Sequence, residues 1–282
     1  MHYPVGYPRE SGSEKQKLEY ENKFMITCAD DYGLGTDIDH AILNLCGAGR
    51  LSAVSCMVLL RQCNIESLAR LREYESRIDL GLHFCLTSEG LPLSEPAQTP
   101  WDSFGALFRN ALPGGIDSQQ VTTLLSTQYD LFVEKVGRIP DYIDGHLHVH
   151  QLPGVREGVL NFVSGLPRDR RPYVRNTYLG LKEILKWRLP CFKAISIGAF
   201  GARMRRHLHS AGIPTNDGFA GIYDFRKWQM YEKYLPRFVG ALSQPNGILV
   251  VHPGGRDSWR RQEFNVLSKF TFPKGMPNRF NR

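Results

Sequence analysis

Long apolar runs are missing from this sequence. No segment approaches the roughly 18 consecutive apolar residues of a membrane-spanning helix, which sets aside a chain built on transmembrane segments. The N-terminal stretch has Glu10, Glu14, Lys15 and Lys17 among polar neighbours and no apolar core, so a secretory signal is not expected there. Cysteine is sparse: six residues, at positions 28, 46, 56, 63, 85 and 191, without a C-x-x-C pair. Cys28, Cys56 and Cys85 lie inside apolar, strand-like runs, which suits buried reduced thiols in a cytoplasmic protein better than a disulfide framework. Nucleic-acid-binding motifs are absent too, and charge alone does not supply that function.

What is present reads as one α/β domain: 282 residues, 42% hydrophobic and 22% charged, enough chain to bury a full core. The net charge of +7 is concentrated, because residues 168–206 hold eleven Lys or Arg against only Asp169 and Glu183. A solvated basic helix face and a patch for an anionic partner both fit that segment. Within it, 179–206 also fits peripheral contact with an inner membrane surface through a basic amphipathic helix.

The densest chemistry lies in D-Y-I-D-G-H-L-H-V-H-Q, Asp141 to Gln151. If Tyr142 to His150 is a strand, Asp144, His146, His148 and His150 share one face while Ile143, Leu147 and Val149 take the other. Packing gives no reason to line imidazoles along one side of a strand, whereas imidazole is a common ligand of divalent ions. A metal site is the expectation.

Along the chain, Lys23 to Ala29 predicts a first strand ending at Asp30, Asp31, Tyr32 and Gly33. Adjacent carboxylates on a regular strand point to opposite faces, but a backbone turning into Gly33 and Gly35 can bring both into one cavity. Strands are also expected at Leu51 to Leu60, at Ile78 to Leu86 with His83 near its end, at Pro172 to Asn176 carrying Arg175, and at Gly247 to His252. Ser118 to Val136 is a strongly amphipathic helix; further helices are expected at Leu179 to Leu189, Gly201 to Ala211 and Tyr231 to Leu242. The Pro- and Gly-rich stretch from Thr87 to Gly115 reads as a lid or substrate-binding loop, its Trp101, Phe104 and Phe108 suited to stacking on a sugar ring or to pinning the loop. Alternating strands and helices imply parallel strands with crossover helices, and such folds gather functional groups at the strands' carboxyl ends. Asp30, Asp31, His83, the histidine strand and His252 all fall there.

Five segments then resemble, in order, the YdjC-like carbohydrate deacetylases, with their chitooligosaccharide and hopanoid-associated branches. They are A-D-D-Y-G from Ala29, S-A-V-S-C-M-V from Ser52, G-L-H-F-C-L-T-S-E-G from Gly81, D-G-H-L-H-V-H from Asp144 and H-P-G from His252. Ala202 to Gly221 looks closer to the hopanoid-associated branch. The resemblance implies a distorted TIM-like α/β barrel, with one divalent metal held by Asp31, His83 and His146. It also implies removal of the N-acetyl group from an amino sugar in an oligosaccharide or glycoconjugate, including a lipid-linked one. Magnesium is the family's usual ion, whereas two imidazoles and a carboxylate suit zinc, manganese or cobalt better. In that reading Asp30 is the general base and His252 the general acid, Asp144 and His148 orient the ligands, and His150 and Arg175 bind substrate.

The chain departs from the family after H-P-G-G. Arg260 to Leu267 starts an R-x-x-E helix, but 268–282 is a short basic tail. The expected division is a polar, disordered lead-in over 1–22, a barrel domain over 23–267 and that tail. Closure is expected to be incomplete at the C-terminus, or completed by the lead-in or by a second copy of the chain. Two other classes stay open: a metal-dependent phosphoesterase on the same scaffold and a non-catalytic glycan-binding relative.

Overall fold

Seven parallel strands carry the architecture: β1 (Met25–Tyr32), β2 (Ala53–Cys56), β3 (Asp79–Phe84), β4 (Tyr142–Gly145), β5 (Tyr173–Val174), β6 (Gly218–Ala220) and β7 (Gly247–Val251). The computed structural model describes residues 25–89, 91, 93, 99–189, 191–242, 244–273 and 276–280. The expected lead-in over 1–22 lies outside the described residues. Strand order is β5-β4-β3-β2-β1-β7-β6, and every neighbouring pair is parallel. Parallel strands need long crossovers. Helices supply them: α1 (Thr36–Gly47), α2 (Ile65–Arg72), α3 (Phe104–Ala111), α4 (Ser118–Val136), α5 (Val155–Gly165), α6 (Leu181–Lys186), α7 (Cys191–Ser210) and α8 (Tyr231–Ala241), while α9 (Ser258–Lys269) follows β7.

The sheet curls into a distorted TIM-like barrel, with one apolar cluster inside it and a larger one between sheet and helices. Strand alternation sends Ile26 and Cys28 of β1 and Ile248 and Val250 of β7 inward, where they pack with Tyr142, Tyr173 and Phe219. Met25 and Ala29 of β1 and Leu249 and Val251 of β7 face outward to the helices. The long helix α4 shows why such segments form. Asp117 caps it by accepting from the Gln119 N–H, Val121, Leu125, Phe132 and Val136 bury one stripe, and Gly137 ends it in a left-handed conformation. At Gly81, a Cβ would lie 2.2 to 2.5 Å from ring atoms of Tyr142, so glycine there makes room for a tyrosine inside the barrel.

The sheet is open, as expected of incomplete closure, and its gap lies away from the last strand. The last strand, β7, lies inside the sheet between β1 and β6, and the sheet edges are β5 and β6. A clasp of two buried amides bridges those edges. The Asn176 N–H donates to Asn216 Oδ1 at 2.8 Å, Asn176 Nδ2 to the Asn216 carbonyl at 2.7 Å, and Asn216 Nδ2 to the Asn176 carbonyl at 2.9 Å. The Val174 N–H adds a bond to the Pro214 carbonyl at 2.9 Å. The described part of the tail crosses the amino-terminal end of the barrel: the Asn278 N–H reaches the Met25 carbonyl, Arg279 and the Phe280 N–H hold Asp79, and the Phe280 ring stacks on Tyr173 at 4.0 Å.

Helices α3 and α5 and strand β6 go beyond the sequence expectation, being short or embedded in Gly- and Pro-rich surroundings. The basic segment forms α6 and α7, which leave Leu181, Leu185 and Ile195 exposed. No helix among the described residues is long and apolar enough to cross a membrane.

Removing the Asn216 amide strands several buried groups of the seam. Asn216→Ala should cost ~3 kcal/mol, measured as a lower urea midpoint with an unchanged slope.

Candidate metal centre and active site

Strand ends deliver the site. Asp30 continues the inward alternation of Ile26 and Cys28, while Asp31 has φ 71, a left-handed conformation that aspartate tolerates. That departure breaks the alternation, so both carboxylates line one cavity. β3 and β4 run in register with His83 beside Asp144. The expected strand from Tyr142 to His150 is corrected: β4 ends at Gly145, and His146–Gln151 forms a tight 3-10 turn with Leu147 (φ 54) and His148 (φ 59) both left-handed. Two successive non-glycine residues there cost roughly 1–2 kcal/mol each. The strained corner aims His146 at Asp31, leaves Leu147 at the cavity wall 50% exposed, and turns His148 against Phe219.

Asp31, His83 and His146 converge, with one ligand atom of each within 4.8 Å of the others. Asp31 Oδ1 lies 3.1 Å from His146 Nδ1 and 3.5 Å from His83 Nε2. Each of the first two is fixed from behind. Asp31 Oδ2 accepts from Arg260 at 2.6 Å, and His83 Nδ1 lies 2.6 Å from Asp144 Oδ1, which leaves Nε2 facing the centre. One carboxylate oxygen and two imidazole nitrogens, held so and open to a cavity, fit a divalent cation with free positions. Burial would raise the Asp31 carboxyl, but Arg260 and both imidazoles hold it well below the usual range. Burial would lower His83, yet Asp144 and Asp30 carry it up to about 10. A second cluster, Cys28 with Asp30 and Asp144, already contains a cation, the guanidinium of Arg175.

Arg175 and His150, expected to bind substrate, are buried and do not line the cavity. Arg175 is fully buried: Nη1 and Nη2 grip the two Asp30 oxygens at 2.8 Å each, and Nη2 also reaches Asp144 at 2.6 Å and Cys28 Sγ at 2.8 Å. Ser55 donates to the same Asp144 oxygen at 2.5 Å. Burial opposes ionisation of Asp30, and Arg175 overrides it, holding the carboxyl far below the usual range. His150 is fully buried with Nε2 2.9 Å from the Arg175 carbonyl. Its ring fills the space a Cβ at Gly145 would need.

His252 follows β7 and places Nε2 4.0 Å from Asp30 Oδ2 and Nδ1 4.0 Å from Glu263 Oε2. Burial pushes its imidazole down to about 4 against the pull of Asp31 and Asp30. Glu263 accepts from the His252 N–H at 2.6 Å and from the Tyr223 hydroxyl at 2.8 Å, and burial pushes its carboxyl up to about 7. Phe225 and Trp259 stack at 4.0 Å beside the His252 ring. Sequence reasoning gave no roles to Arg260, Glu263, Tyr223 or Trp259. The R-x-x-E pair opening α9 was the available signal, since one helical turn brings Arg260 to Asp31 and Glu263 to His252.

These elements enclose a cavity of about 570 Å³ at the carboxyl ends of the strands, with Asp30, Asp31, His83, His146, His148, His252 and Arg260 in its wall. The profile described as YdjC-like protein matches residues 24–274, which includes every one of those side chains. The chain belongs to the YdjC-like family. Among curated family relatives, a chitooligosaccharide deacetylase of Escherichia fergusonii is 31% identical over 144 residues, 50% of this chain and 56% of that one. A protein of the same description from Enterobacter sp. strain 638 is 31% identical over 145 residues, 51% and 56% of the two chains. The chain thus spans about half the length of the curated relatives it matches. A solved structure from Enterococcus faecalis V583, described as a candidate cellobiose-phosphate cleavage protein, superposes with a TM-score of 0.61 at 18% identity, covering 88% of this chain and 92% of its own; it shares the fold.

Two outcomes follow from this geometry. His83→Ala should weaken binding of zinc or manganese at least ~100-fold by calorimetric titration, with the far-ultraviolet circular dichroism unchanged. Arg175→Met should leave Asp30 and Asp144 buried without their cation and cost about 3–5 kcal/mol, read as a fall in thermal midpoint; Arg175→Lys should recover only part of it, because an ammonium cannot grip both Asp30 oxygens.

Proposed function

We propose that the chain is a metal-dependent carbohydrate N-deacetylase, hydrolysing the acetamide of an N-acetylated amino sugar. One observation carries the reading. A convergent Asp31, His83 and His146 set shares its cavity with a further carboxylate, Asp30, and a further imidazole, His252, neither of which is needed merely to hold an ion. Similarity to the chitooligosaccharide deacetylases supports the substrate class.

An acetamide is a poor electrophile with a poor leaving group, so the site has to activate water, polarise the carbonyl and protonate the departing amine. Asp31, His83 and His146 would hold a divalent cation, which would polarise the acetyl carbonyl and lower the pKa of water. The protein groups handle the protons. Asp30 takes one from the attacking water, with Arg175 fixing both of its oxygens. His252 rests neutral at pH 7, because burial holds it near 4, and 4.0 Å from Asp30 it is placed to accept that proton. It then delivers the proton to the amine as the C–N bond breaks. Arg260 keeps Asp31 ionised and in place, and Glu263 holds the backbone of His252.

Acetate release from N-acetylglucosamine-containing substrates, with chelator and metal add-back, tests the proposal against phosphate release from phosphomonoesters. Acetate should appear only with metal. Asp30→Asn and His252→Ala should each lower kcat by about 10²–10⁴-fold at near wild-type metal content. Phosphate release, or unchanged turnover in Asp30→Asn, would count against it.

A further inference from the structure

Among the described residues, four side chains of the cavity wall carry a buried nitrogen without a hydrogen-bond partner: His148 Nδ1, Gln151 Nε2, His252 Nδ1 and Arg260 Nη1. His252 and Arg260 already belong to the proposed reaction. His148 packs edge-on against Phe219 at 5.5 Å, two positions from the proposed ligand His146. Gln151 has no such role. It closes the 146–151 turn and is 1% exposed. A buried donor left unpaired costs about tenfold or more in an equilibrium constant, so an amide that carries two free N–H groups in the wall of a reaction cavity needs a physical reason.

The orientation of that amide is set by its neighbour. The Thr177 N–H donates to Gln151 Oε1 at 3.0 Å, and the Thr177 hydroxyl lies 3.0 Å from the same oxygen. A backbone N–H can only donate, so turning the amide over would set two donors face to face. The oxygen therefore points at Thr177, which is not part of the cavity wall, and the amide nitrogen is the end left for the cavity. The Thr177 hydroxyl is also 3.0 Å from the Ile197 carbonyl of α7, which pins Gln151 where the turn, the end of β5 and α7 meet. Polar groups flank this point of the wall, with Ser196 beside Ile197 on α7 and His148 on the turn. A 3-10 turn rises about 2 Å per residue, so Gln151 stands on the order of 10 Å from His146 along it. A single acetamido sugar bridges that span, with its acetamide at the proposed metal centre.

Resting on the deacetylase reading, we infer that Gln151 is a specificity-determining residue for that reaction: its Nε2 donates to a hydroxyl of the same sugar ring that carries the acetamide. A neutral amide donor suits a neutral hydroxyl oxygen, and the anchored oxygen at Thr177 holds the donor in place before the sugar arrives. A ring that lacks this hydroxyl leaves the amide dry and unpaired, whereas the matching ring satisfies it. A site built to bond a substrate hydroxyl discriminates against the analogue without it far more strongly than an apolar surface does.

The experiment measures kcat/KM for acetate release from methyl N-acetylglucosaminide and from its 3-deoxy, 4-deoxy and 6-deoxy derivatives. In the wild type one derivative should fall at least ~10-fold below the parent. Gln151→Met keeps the length of the side chain without its amide, and it should bring that derivative within about threefold of the parent while the other two ratios stay as in the wild type. Gln151→Glu, assayed at pH 8, keeps an acceptor for the Thr177 N–H and loses the donor, so the same ratio should collapse; it carries the test if the Met variant shows a lowered thermal midpoint. A uniform fall for all four glycosides, with every ratio unchanged, makes the amide a brace for Thr177 alone and overturns this inference. A wild type indifferent to all three deletions overturns it as well, and both results leave the deacetylase reading standing. Absence of acetate from these glycosides and from chitobiose overturns the deacetylase reading itself.

Discussion

A fully buried guanidinium ties the barrel together. Arg175 reaches across from the end of β5 to the Asp30 carboxylate on β1 and the Asp144 carboxylate on β4, and it touches Cys28 Sγ on the way. Two carboxylates in so dry a place are untenable alone, because each has lost its hydration. Arg175 sits between them as their shared partner, and each is then used elsewhere. Asp144 grips His83 and Asp30 faces His252. One internal ion network therefore sets the geometry of a proposed metal ligand and of the proposed base together.

Around the network the side chains divide the cavity in two. Carboxylates, imidazoles and Arg260 crowd the strand ends near β1, β3 and β7, while phenylalanines and branched aliphatics from α3, the 146–151 turn and α7 form the rest of the wall. The polar corner is rigid, since most of its ionic groups are clasped by another. The two parts meet at the strained residues Leu147 and His148.

Much of the fold was legible because its signals are local. The amphipathic stripe of α4, with its Asp117 cap and Gly137 stop, appears where the spacing predicts it, and the apolar runs of β1, β2, β3 and β7 locate the sheet. Placement of Asp30, Asp31, His83 and His252 at strand ends follows from that order alone. Elsewhere local signals misled. The alternation from Tyr142 to His150 is compatible with a strand, yet the chain turns after Gly145, because His146 has to meet Asp31 and His150 has to fill the space behind Gly145. Short elements such as β6 and α3 were hidden by their length, and the Asn176–Asn216 clasp by a separation of 40 residues.

The sequence by itself determined the parallel α/β order, the family and the residues able to carry the chemistry, since hydrophobic period, turn residues and side-chain type are written position by position. Only the tertiary structure decided which of those residues meet. It set His146 on Asp31, moved Arg175 and His150 from the cavity into the core, recruited Arg260 and Glu263 from the last helix, and lined the pocket with hydrocarbon. Burial and ion pairing depend on what several distant segments bring to one point, and no single stretch of chain contains that information.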